Sequence, residues 1–217
     1  MKKDANDAAD PVELPVFEIF HSWQGEGVHV GRSAFFIRLF GCPIRCEWCD
    51  SAETWDARTA ARVAHFSAEF LAEKAAAAHP DFVVLTGGEP AIHNLSPLCE
   101  ALHARDLRVH IETSGAFPIR GAVDWLTLSP KANRLPLAEN LERASELKLI
   151  ISEPRELEFW AEKIPRGSVP AAAPIWLHPE WSQRENPAVL GAISAWVCAR
   201  GFPFRAGWQL HKIFNVR

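Results

Sequence analysis

The chain has 217 residues, 48% of them hydrophobic, which excludes an intrinsically disordered protein and allows one domain with a sizeable core. The formal net charge is -4 and no basic run is present, so we expect no nucleic-acid partner and a small-molecule substrate. No apolar stretch reaches the roughly 20 residues that cross a bilayer, and the polar start lacks the apolar part of a secretory signal. We therefore expect a cytoplasmic protein without a membrane partner, with reduced cysteines, a flexible N-terminus at residues 1–12 and one domain at 13–217.

Short apolar runs alternate with amphipathic stretches along the chain. The predicted strands are residues 34–40, 82–86, 108–112, 125–128, 147–151, 174–178 and 204–209. The predicted helices are residues 67–78, 97–105, 137–146, 154–163 and 187–200, with Ser67 and Ser96 as N-caps of the first two. This α/β alternation predicts a parallel sheet with right-handed crossovers. The chain is too short for a closed eight-fold barrel of about 250 residues, so we predict an open, partial (β/α) barrel with about six parallel core strands.

Polar segments follow each predicted strand. In chain order they read GCPIRCEWCDS, TGGEP, ETSG, SPK, SEP, HPEW and LHK. The carboxyl ends of parallel strands carry the active site in α/β folds. We therefore expect all seven segments to converge on one cavity.

Three of the five cysteines form a C-x3-C-x2-C pattern at Cys42, Cys46 and Cys49. Soft thiolates select iron–sulfur clusters, zinc or Cu(I). Three thiolates can hold three irons of a [4Fe–4S] cluster and leave the fourth iron free for a small chelating ligand, whereas most electron-transfer clusters are closed by a fourth Cys. A structural zinc site is the alternative, but no further Cys or His follows at the usual spacing. Cys99 and Cys198 lie in predicted helices, where we expect small buried hydrophobic residues.

The cysteine loop, with Trp48 before its last Cys, resembles the signature of the radical S-adenosylmethionine superfamily, and TGGEP resembles its GGE motif. The resemblance implies one radical SAM domain over 13–217. In that superfamily S-adenosylmethionine chelates the free iron, one electron cleaves its sulfur–carbon bond, and the resulting 5′-deoxyadenosyl radical abstracts hydrogen from the substrate. No side-chain acid or base is then needed to start the reaction, because the cofactors carry the difficult chemistry.

A narrower resemblance covers residues 16–217. The QGEG loop, the FIRL strand, the CDS that ends the cysteine loop and the later ETSG, SPK and HK segments are similar, in order, to the 7-carboxy-7-deazaguanine synthase family. The resemblance implies a homodimeric, Mg²⁺-dependent lyase of queuosine and 7-deazapurine biosynthesis. It would convert 6-carboxy-5,6,7,8-tetrahydropterin to 7-carboxy-7-deazaguanine with loss of ammonia, using electrons from a flavodoxin-like or ferredoxin-like donor.

The family pattern assigns roles to individual positions of this chain. The metal ligands would be Cys42, Cys46 and Cys49 for the cluster and Ser51 for Mg²⁺. The residues that bind S-adenosylmethionine would be Trp48, Cys49, Asp50, Gly88, Glu89, Ser129, Pro130, Lys131, His178, Pro179, Glu180 and Trp181. The residues that bind the pterin would be Trp23, Gln24, Gly25, Arg38, Thr86, Glu112, His211 and the terminal carboxylate of Arg217.

Some assignments have plain structural alternatives. Arg38 could form an ordinary salt bridge, Ser51 could cap a loop, and Lys131 could be solvated instead of pairing with the carboxylate of S-adenosylmethionine. His178 stands where several relatives have Gln, which predicts a group that titrates near pH 6.5. Two other functions also remain open. One is an activase that places a glycyl radical on a partner protein, and the other is a non-enzymatic zinc or electron-transfer module.

Overall fold

A computed structural model describes residues 13–216. The predicted flexible N-terminus at residues 1–12 and the terminal residue Arg217 lie outside the described residues. The strands are β1 Glu13–Trp23, β2 Ser33–Leu39, β3 Ala64–Ser67, β4 Phe82–Gly87, β5 Val109–Thr113, β6 Trp125–Leu128, β7 Glu146–Ile151, β8 Ile175–Pro179 and β9 Phe204–Ala206. The helices are α1 Ala68–Ala77, α2 Ser96–His103, α3 Ala138–Glu142, α4 Glu156–Lys163, α5 Pro187–Arg200 and α6 Leu210–Ile213.

All of these strands belong to one sheet in the order β3-β1-β2-β4-β5-β6-β7-β8-β9. From β2 to β9 each neighbouring pair is parallel, whereas β1 is antiparallel to both β2 and β3. The sheet does not close, which confirms the predicted open, partial barrel. Within residues 13–216 no helix is long and apolar enough to cross a membrane.

Strand periodicity separates the core from the site. In β7 the residues Leu147, Leu149 and Ile151 are buried in the main hydrophobic core, which the helices cover on one face of the sheet. The alternate residues Lys148 and Ile150 face a cavity on the other side. Because successive side chains of a strand point to opposite faces, one short sequence serves both purposes.

The loop between β1 and β2 folds back against the cavity face of the sheet. Its residue His29 packs among three rings, with centroid distances of 5.3 Å to Phe82, 4.7 Å to His110 and 4.4 Å to Trp125. His110 in turn stacks on Phe82 at 3.9 Å. This aromatic group fills the end of the partial barrel away from the cysteine loop.

Glu146, the first residue of β7, fastens the same loop. Its carboxylate accepts hydrogen bonds from the backbone N–H of Val28, the indole N–H groups of Trp125 and Trp176, and the hydroxyl of Thr127. Glu146 is only 3% exposed, and these four hydrogen bonds offset the free energy that burying its carboxylate costs. The predicted helix 137–146 is therefore too long, because Glu146 belongs to the sheet, and α3 ends at Glu142.

Several other elements differ from the prediction. The strands β1 and β3 and the short helix α6 were not predicted. The predicted strand 204–209 ends at Ala206, and α2 begins at Ser96, so Ser96 is not its N-cap. Ser67 does cap α1, accepting from the N–H of Phe70 at 3.2 Å. Cys99 is buried as expected, but Cys198 is exposed because the buried side of α5 carries Val189 and Ile193.

Candidate functional site

The cavity lies at the carboxyl ends of the parallel strands and has a free volume of about 1320 Å³, including the part open to solvent. The predicted site residues that line it are Trp23, Gln24, Gly25, Arg38, Cys42, Cys46, Trp48, Cys49, Asp50, Ser51, Thr86, Gly88, Glu89, Glu112, Ser129, Lys131, Pro179, Glu180, Trp181 and His211. Pro130 and His178 do not line it, and Arg217 is not among the described residues.

Six of the seven polar segments reach this cavity, and the SEP segment after β7 does not. Its backbone N–H groups at Ser152 and Glu153 donate to the carboxylate of Glu156, at 2.5 and 3.3 Å. The segment is thus used to begin α4, and β7 contributes Lys148 and Ile150 to the cavity instead. The expectation that all seven segments converge is wrong for this one.

The three clustered cysteines face the cavity together. Cys42, Cys46 and Cys49 are partly exposed free thiols, and the indole N–H of Trp55 donates to the sulfur of Cys49 at 3.4 Å. Burial raises the pKa of Cys46, Lys131 opposes that shift, and the neighbouring Cys49 and Cys42 raise the pKa further. Three sulfur donors that line one cavity fit the ligand set of an iron–sulfur cluster, which would bind them as thiolates.

The turn after β4 supports the cysteine loop from behind. A Cβ on Gly88 would lie 2.2 Å from the carbonyl oxygen of Gly41, so only glycine allows this approach. The N–H of Gly88 donates to Leu39 at 2.9 Å, and the N–H of Glu89 donates to Gly41 at 2.8 Å. The GGE motif therefore positions the start of the cysteine loop as well as bordering the cavity.

Glu89 is a buried acceptor at the cavity wall, exposed by only 2%. Its carboxylate accepts from the hydroxyls of Thr113 and Ser114, from the N–H of Ser114 at 2.9 Å and from the N–H of Ala91 at 3.1 Å. These donors fix the carboxylate in one orientation. Thr113 and Ser114 come from the ETSG segment, so that segment supports Glu89 as well as supplying Glu112.

Lys131 is a partly buried cation beside the cysteine loop. Its ammonium donates to the carbonyl of Ser129 at 2.8 Å and to the Ser129 hydroxyl at 2.7 Å, and it lies 5.0 Å from the ring centroid of Trp48. Burial lowers the pKa of Lys131 to about 8, with Cys46 opposing the shift and Lys148 adding to it. The group is thus still mainly protonated at pH 7, and it is not a solvated lysine.

Ser51 and Asp50 lie next to each other at the cavity. The Ser51 hydroxyl donates to Asp50 Oδ1 at 3.3 Å, and the carbonyl of Ser51 accepts from the Thr54 hydroxyl at 2.7 Å. Among residues 13–216, no group of three or more His, Cys, Asp and Glu side chains, the three cysteines included, is arranged to hold a single metal ion. The assignment of Ser51 to Mg²⁺ stays a prediction.

Gln24 and Glu112 form a polar pair at the cavity. The Gln24 amide donates to Glu112 Oε1 at 2.8 Å, and the Thr86 hydroxyl lies 3.3 Å from Glu112 Oε2. Gln24 belongs to the QGEG loop, and Thr86 and Glu112 come from β4 and β5. The cavity therefore offers amide, hydroxyl and carboxylate groups close together.

Arg38 reaches the same region from β2. Its guanidinium lies 3.3 Å from Glu18 and 5.3 Å from the ring centroid of Phe20, which stacks on Phe36 at 4.9 Å. The salt bridge that was the alternative for Arg38 is thus present. It does not remove Arg38 from the site, because the residue still borders the cavity.

His211 packs directly against Gly25. A Cβ on Gly25 would lie 2.2 Å from His211 Nδ1, and the N–H of Leu210 donates to the Gly25 carbonyl at 3.1 Å. Burial lowers the pKa of His211, and the charge of Glu26 acts in the opposite direction. The C-terminal part of the chain thus completes the cavity beside the QGEG loop.

Among the cavity residues that the sequence analysis missed, three form one hydrogen-bonded polar group: Glu26, Lys148 and Gln209. Burial opposes ionisation of Glu26, but Lys148 and His178 together lower its pKa to about 2, and the ammonium of Lys148 binds its carboxylate. Lys148 could have been found by the argument used for Arg38, since a cation in an apolar strand needs a partner. Gln209 has no comparable signal in the sequence.

His178 is buried beneath the cavity wall with an exposure of 1%. Within the described residues neither ring nitrogen has a hydrogen-bond partner, and a Cβ on Gly207 would lie 2.1 Å from Nε2. Burial lowers the pKa of His178 to about 4. The expected titration near pH 6.5 is therefore wrong, and a contact with S-adenosylmethionine stays a prediction.

This fold and this site define a class of protein. The model of the Radical SAM superfamily matches residues 36–135, which run from β2 through the cysteine loop, the GGE motif and the SPK segment. A partial parallel barrel with three free thiols at its carboxyl edge is the arrangement that the superfamily pattern predicts.

Curated relatives define the family within that class. The chain is 44% identical over 206 residues to a 7-carboxy-7-deazaguanine synthase of Synechocystis sp., covering 95% of each chain. It is 33% identical over 227 residues to the synthase of Escherichia coli K12, covering 94% of this chain and 100% of that one. The crystal structure of QueE from Escherichia coli matches with a TM-score of 0.78 at 33% identity, over 92% of this chain and 95% of that chain. The chain belongs to the 7-carboxy-7-deazaguanine synthase family.

Proposed function

We propose that this protein is a radical S-adenosylmethionine lyase that converts 6-carboxy-5,6,7,8-tetrahydropterin to 7-carboxy-7-deazaguanine with loss of ammonia. The observation that carries the proposal is one cavity lined both by the three free thiols and by the hydrogen-bonded pair of Gln24 and Glu112. The names of the relatives supply the product.

One end of the cavity would hold the cofactors. Cys42, Cys46 and Cys49 would bind a [4Fe–4S] cluster, which would supply the electron for cleavage of S-adenosylmethionine. The Lys131 ammonium would pair with the carboxylate of S-adenosylmethionine, since a partly buried charge interacts more strongly than one in water. Glu89 would present a fixed carboxylate to an ammonium group. The remaining predicted contacts, at Trp48, Asp50 and the 178–181 segment, would surround the rest of the molecule.

The other end would hold the pterin. A pterin edge is a planar row of donors and acceptors, which the Gln24 amide, the Glu112 carboxylate and the Thr86 hydroxyl can match. Arg38 would bind the substrate carboxylate through guanidinium N–H groups in the geometry favoured by such pairs. The stacked rings of Phe20 and Phe36 give this end an apolar wall that keeps water away from the substrate.

The proposal extends to features that the family resemblance implies. Ser51 would bind Mg²⁺ through its hydroxyl, with substrate oxygens and waters completing an oxygen shell of the kind Mg²⁺ prefers. The protein would act as a cytoplasmic homodimer with a single radical SAM domain at 13–217, reduced by a flavodoxin-like or ferredoxin-like partner. The terminal carboxylate of Arg217 would contribute to the pterin site.

Anaerobic incubation tests the activity directly. Protein reconstituted with iron and sulfide is mixed with reductant, S-adenosylmethionine and 6-carboxytetrahydropterin, with and without Mg²⁺, and the products are identified by mass spectrometry. We expect 5′-deoxyadenosine and 7-carboxy-7-deazaguanine. Absence of 5′-deoxyadenosine would overturn the radical chemistry. Its formation without a deazaguanine would overturn the substrate assignment and favour another radical enzyme, such as the glycyl-radical activase.

A further inference from the structure

The last described part of the chain, residues 207–216, here termed the C-terminal segment, bridges two loops of the cavity. The Gln209 amide donates to Glu26 Oε1 at 2.7 Å and to Asp50 Oδ2 at 3.1 Å. The Lys212 ammonium donates to the same Asp50 oxygen at 2.7 Å and to the Gln209 amide oxygen at 2.9 Å. Glu26 belongs to the QGEG loop and Asp50 to the cysteine loop, so two side chains join the two halves of the site.

Lys212 also contacts a third wall of the cavity. Its ammonium lies 4.9 Å from the ring centroid of Trp181, which follows β8 and lines the cavity together with Asp50. Lys212 itself does not line the cavity. It therefore acts on the cofactor end of the site through its contacts with Asp50, Trp181 and Gln209.

The network is balanced in charge and anchored at both ends. Two carboxylates, Glu26 and Asp50, meet two ammonium groups, Lys148 and Lys212. Lys148 holds the far side of Glu26 from β7, so the chain of contacts runs from the sheet to the cysteine loop. A balanced and connected polar network of this kind holds its members in one arrangement.

The same segment contacts the QGEG loop through backbone and ring contacts. Leu210 donates to Gly25, and Phe214 meets Trp23 edge to face at 5.5 Å. The segment thus follows the substrate end of the cavity while two of its side chains hold the cofactor end.

We propose that Lys212 and Gln209 are positioning residues that hold the substrate loop and the cysteine loop in a fixed relation. This inference rests on the proposed function. A radical formed at the cofactor end must reach one carbon of the substrate, so the separation of the two ends decides whether cleavage of S-adenosylmethionine leads to product. Misplacement by about 1 Å can reduce the rate of a positioned reaction by about 100-fold.

The test compares Lys212→Met with Lys212→Arg and with a control, Lys163→Met. Lys163 also has a carboxylate partner, Glu162, and an aromatic ring, Phe159, but it lies on α4 away from the cavity. The readouts are iron content, Tm, and the amount of 7-carboxy-7-deazaguanine formed per 5′-deoxyadenosine. We expect Lys212→Met to keep its iron and its Tm while that ratio falls at least fivefold. Lys212→Arg should restore most of it, and Lys163→Met should match the wild type.

An unchanged ratio in Lys212→Met would overturn the positioning role. Loss of iron or a large fall in Tm in this variant, with the same loss in Gln209→Met, would overturn it in favour of a merely structural role. If Gln209→Met keeps iron and Tm but loses product per 5′-deoxyadenosine, the proposal stands. Failure of the wild-type protein to form any deazaguanine would instead overturn the proposed function, so the two failures are distinguished.

Discussion

Among single residues, the cysteines allow the most direct test. Cys46 lies at the cavity between two other thiols, whereas Cys198 is exposed on α5. Because the proposed cluster would have only these three protein ligands, loss of one should release it. We expect Cys46→Ala to lose nearly all its iron and sulfide after anaerobic reconstitution, and Cys198→Ala to keep both. Equal iron contents in the two variants would refute the ligand assignment.

Gly25 provides a second prediction for a single residue. A methyl group there would be 2.2 Å from His211 Nδ1, so Gly25→Ala must displace either the QGEG loop or His211. We expect the KM for the pterin to rise about tenfold, which corresponds to about 1.4 kcal/mol of lost binding. The KM for S-adenosylmethionine should change much less.

Gly167→Ala is the matched control, because nothing lies within 4 Å of a Cβ at that position. Its kinetic constants should equal those of the wild type. If the kinetic constants of Gly25→Ala equal those of this control, the close contact between Gly25 and His211 is not needed for pterin binding, and the prediction is wrong.

The residues that could be predicted are those that carry a local chemical signal. A few neighbouring positions are enough to recognise the cysteine spacing, the paired glycines and the lone Arg38 in an apolar strand. Glu26 and Gln209 could not be found in this way, because they are ordinary polar residues until folding brings them together from 183 positions apart. The predicted pKa of His178 was wrong for a related reason, because burial of the ring sets that pKa and burial cannot be read from the local sequence.

For the secondary-structure elements, α5 offers a prediction about stability. Gly191 lies in the interior of this helix, it is exposed, and a Cβ there would meet nothing within 4 Å. Alanine loses less backbone entropy than glycine on folding and favours the helix by about 1 kcal/mol. We expect Gly191→Ala to raise the free energy of unfolding by about that amount, measured in denaturant, without a change in activity. A destabilised variant would mean that the helix needs glycine there.

The parallel strands β2, β4, β5, β6, β7 and β8 were predictable because each is a short apolar run that the core covers, and their bounds lie within one residue of the predicted ones. By contrast, β1 was missed. It contains Pro15, and proline inside a run argues against a strand, yet here it pairs with His65 of the edge strand β3. The pairing of β1 with a strand about 50 residues later cannot be read from the local sequence pattern. The local pattern also does not show that β9 ends at Ala206.

For the whole molecule, the rule for parallel sheets explains why the site could be located before its geometry was known. Six polar segments meet because their strands are parallel and end at one edge. The rule does not predict the contribution of the QGEG loop, because that loop connects the antiparallel strands β1 and β2.

Acid stability is a property of the whole fold that one buried ring should influence. Burial, with added repulsion from His29 and Arg32, lowers the pKa of His110 to about 3. In the unfolded chain this histidine has its ordinary pKa near 6.5, so between pH 6.5 and pH 3 the unfolded chain binds more protons than the folded one. The free energy of unfolding therefore carries no penalty from His110 above pH 6.5, and it falls as the pH decreases toward 3.

Replacement of His110 by Phe should remove this proton uptake while keeping an aromatic ring against Phe82. We expect the free energy of unfolding to depend less on pH between 6 and 4 in His110→Phe, with a slope lower by up to about 1.4 kcal/mol per pH unit. Denaturant titrations at several pH values measure this slope. Parallel curves for the two proteins would contradict the assignment, whatever the absolute stability of the variant.

The fastening of the QGEG loop by Glu146 has a consequence for engineering. Val28, next to the substrate loop, depends on a carboxylate whose other donors are a tryptophan and a threonine on β6 and a tryptophan on β8. A foreign loop grafted between β1 and β2 would leave that carboxylate short of a donor, in a place where water cannot replace it. A change of substrate specificity through this loop thus requires that the loop be replaced together with Glu146 and the two tryptophans that bind it.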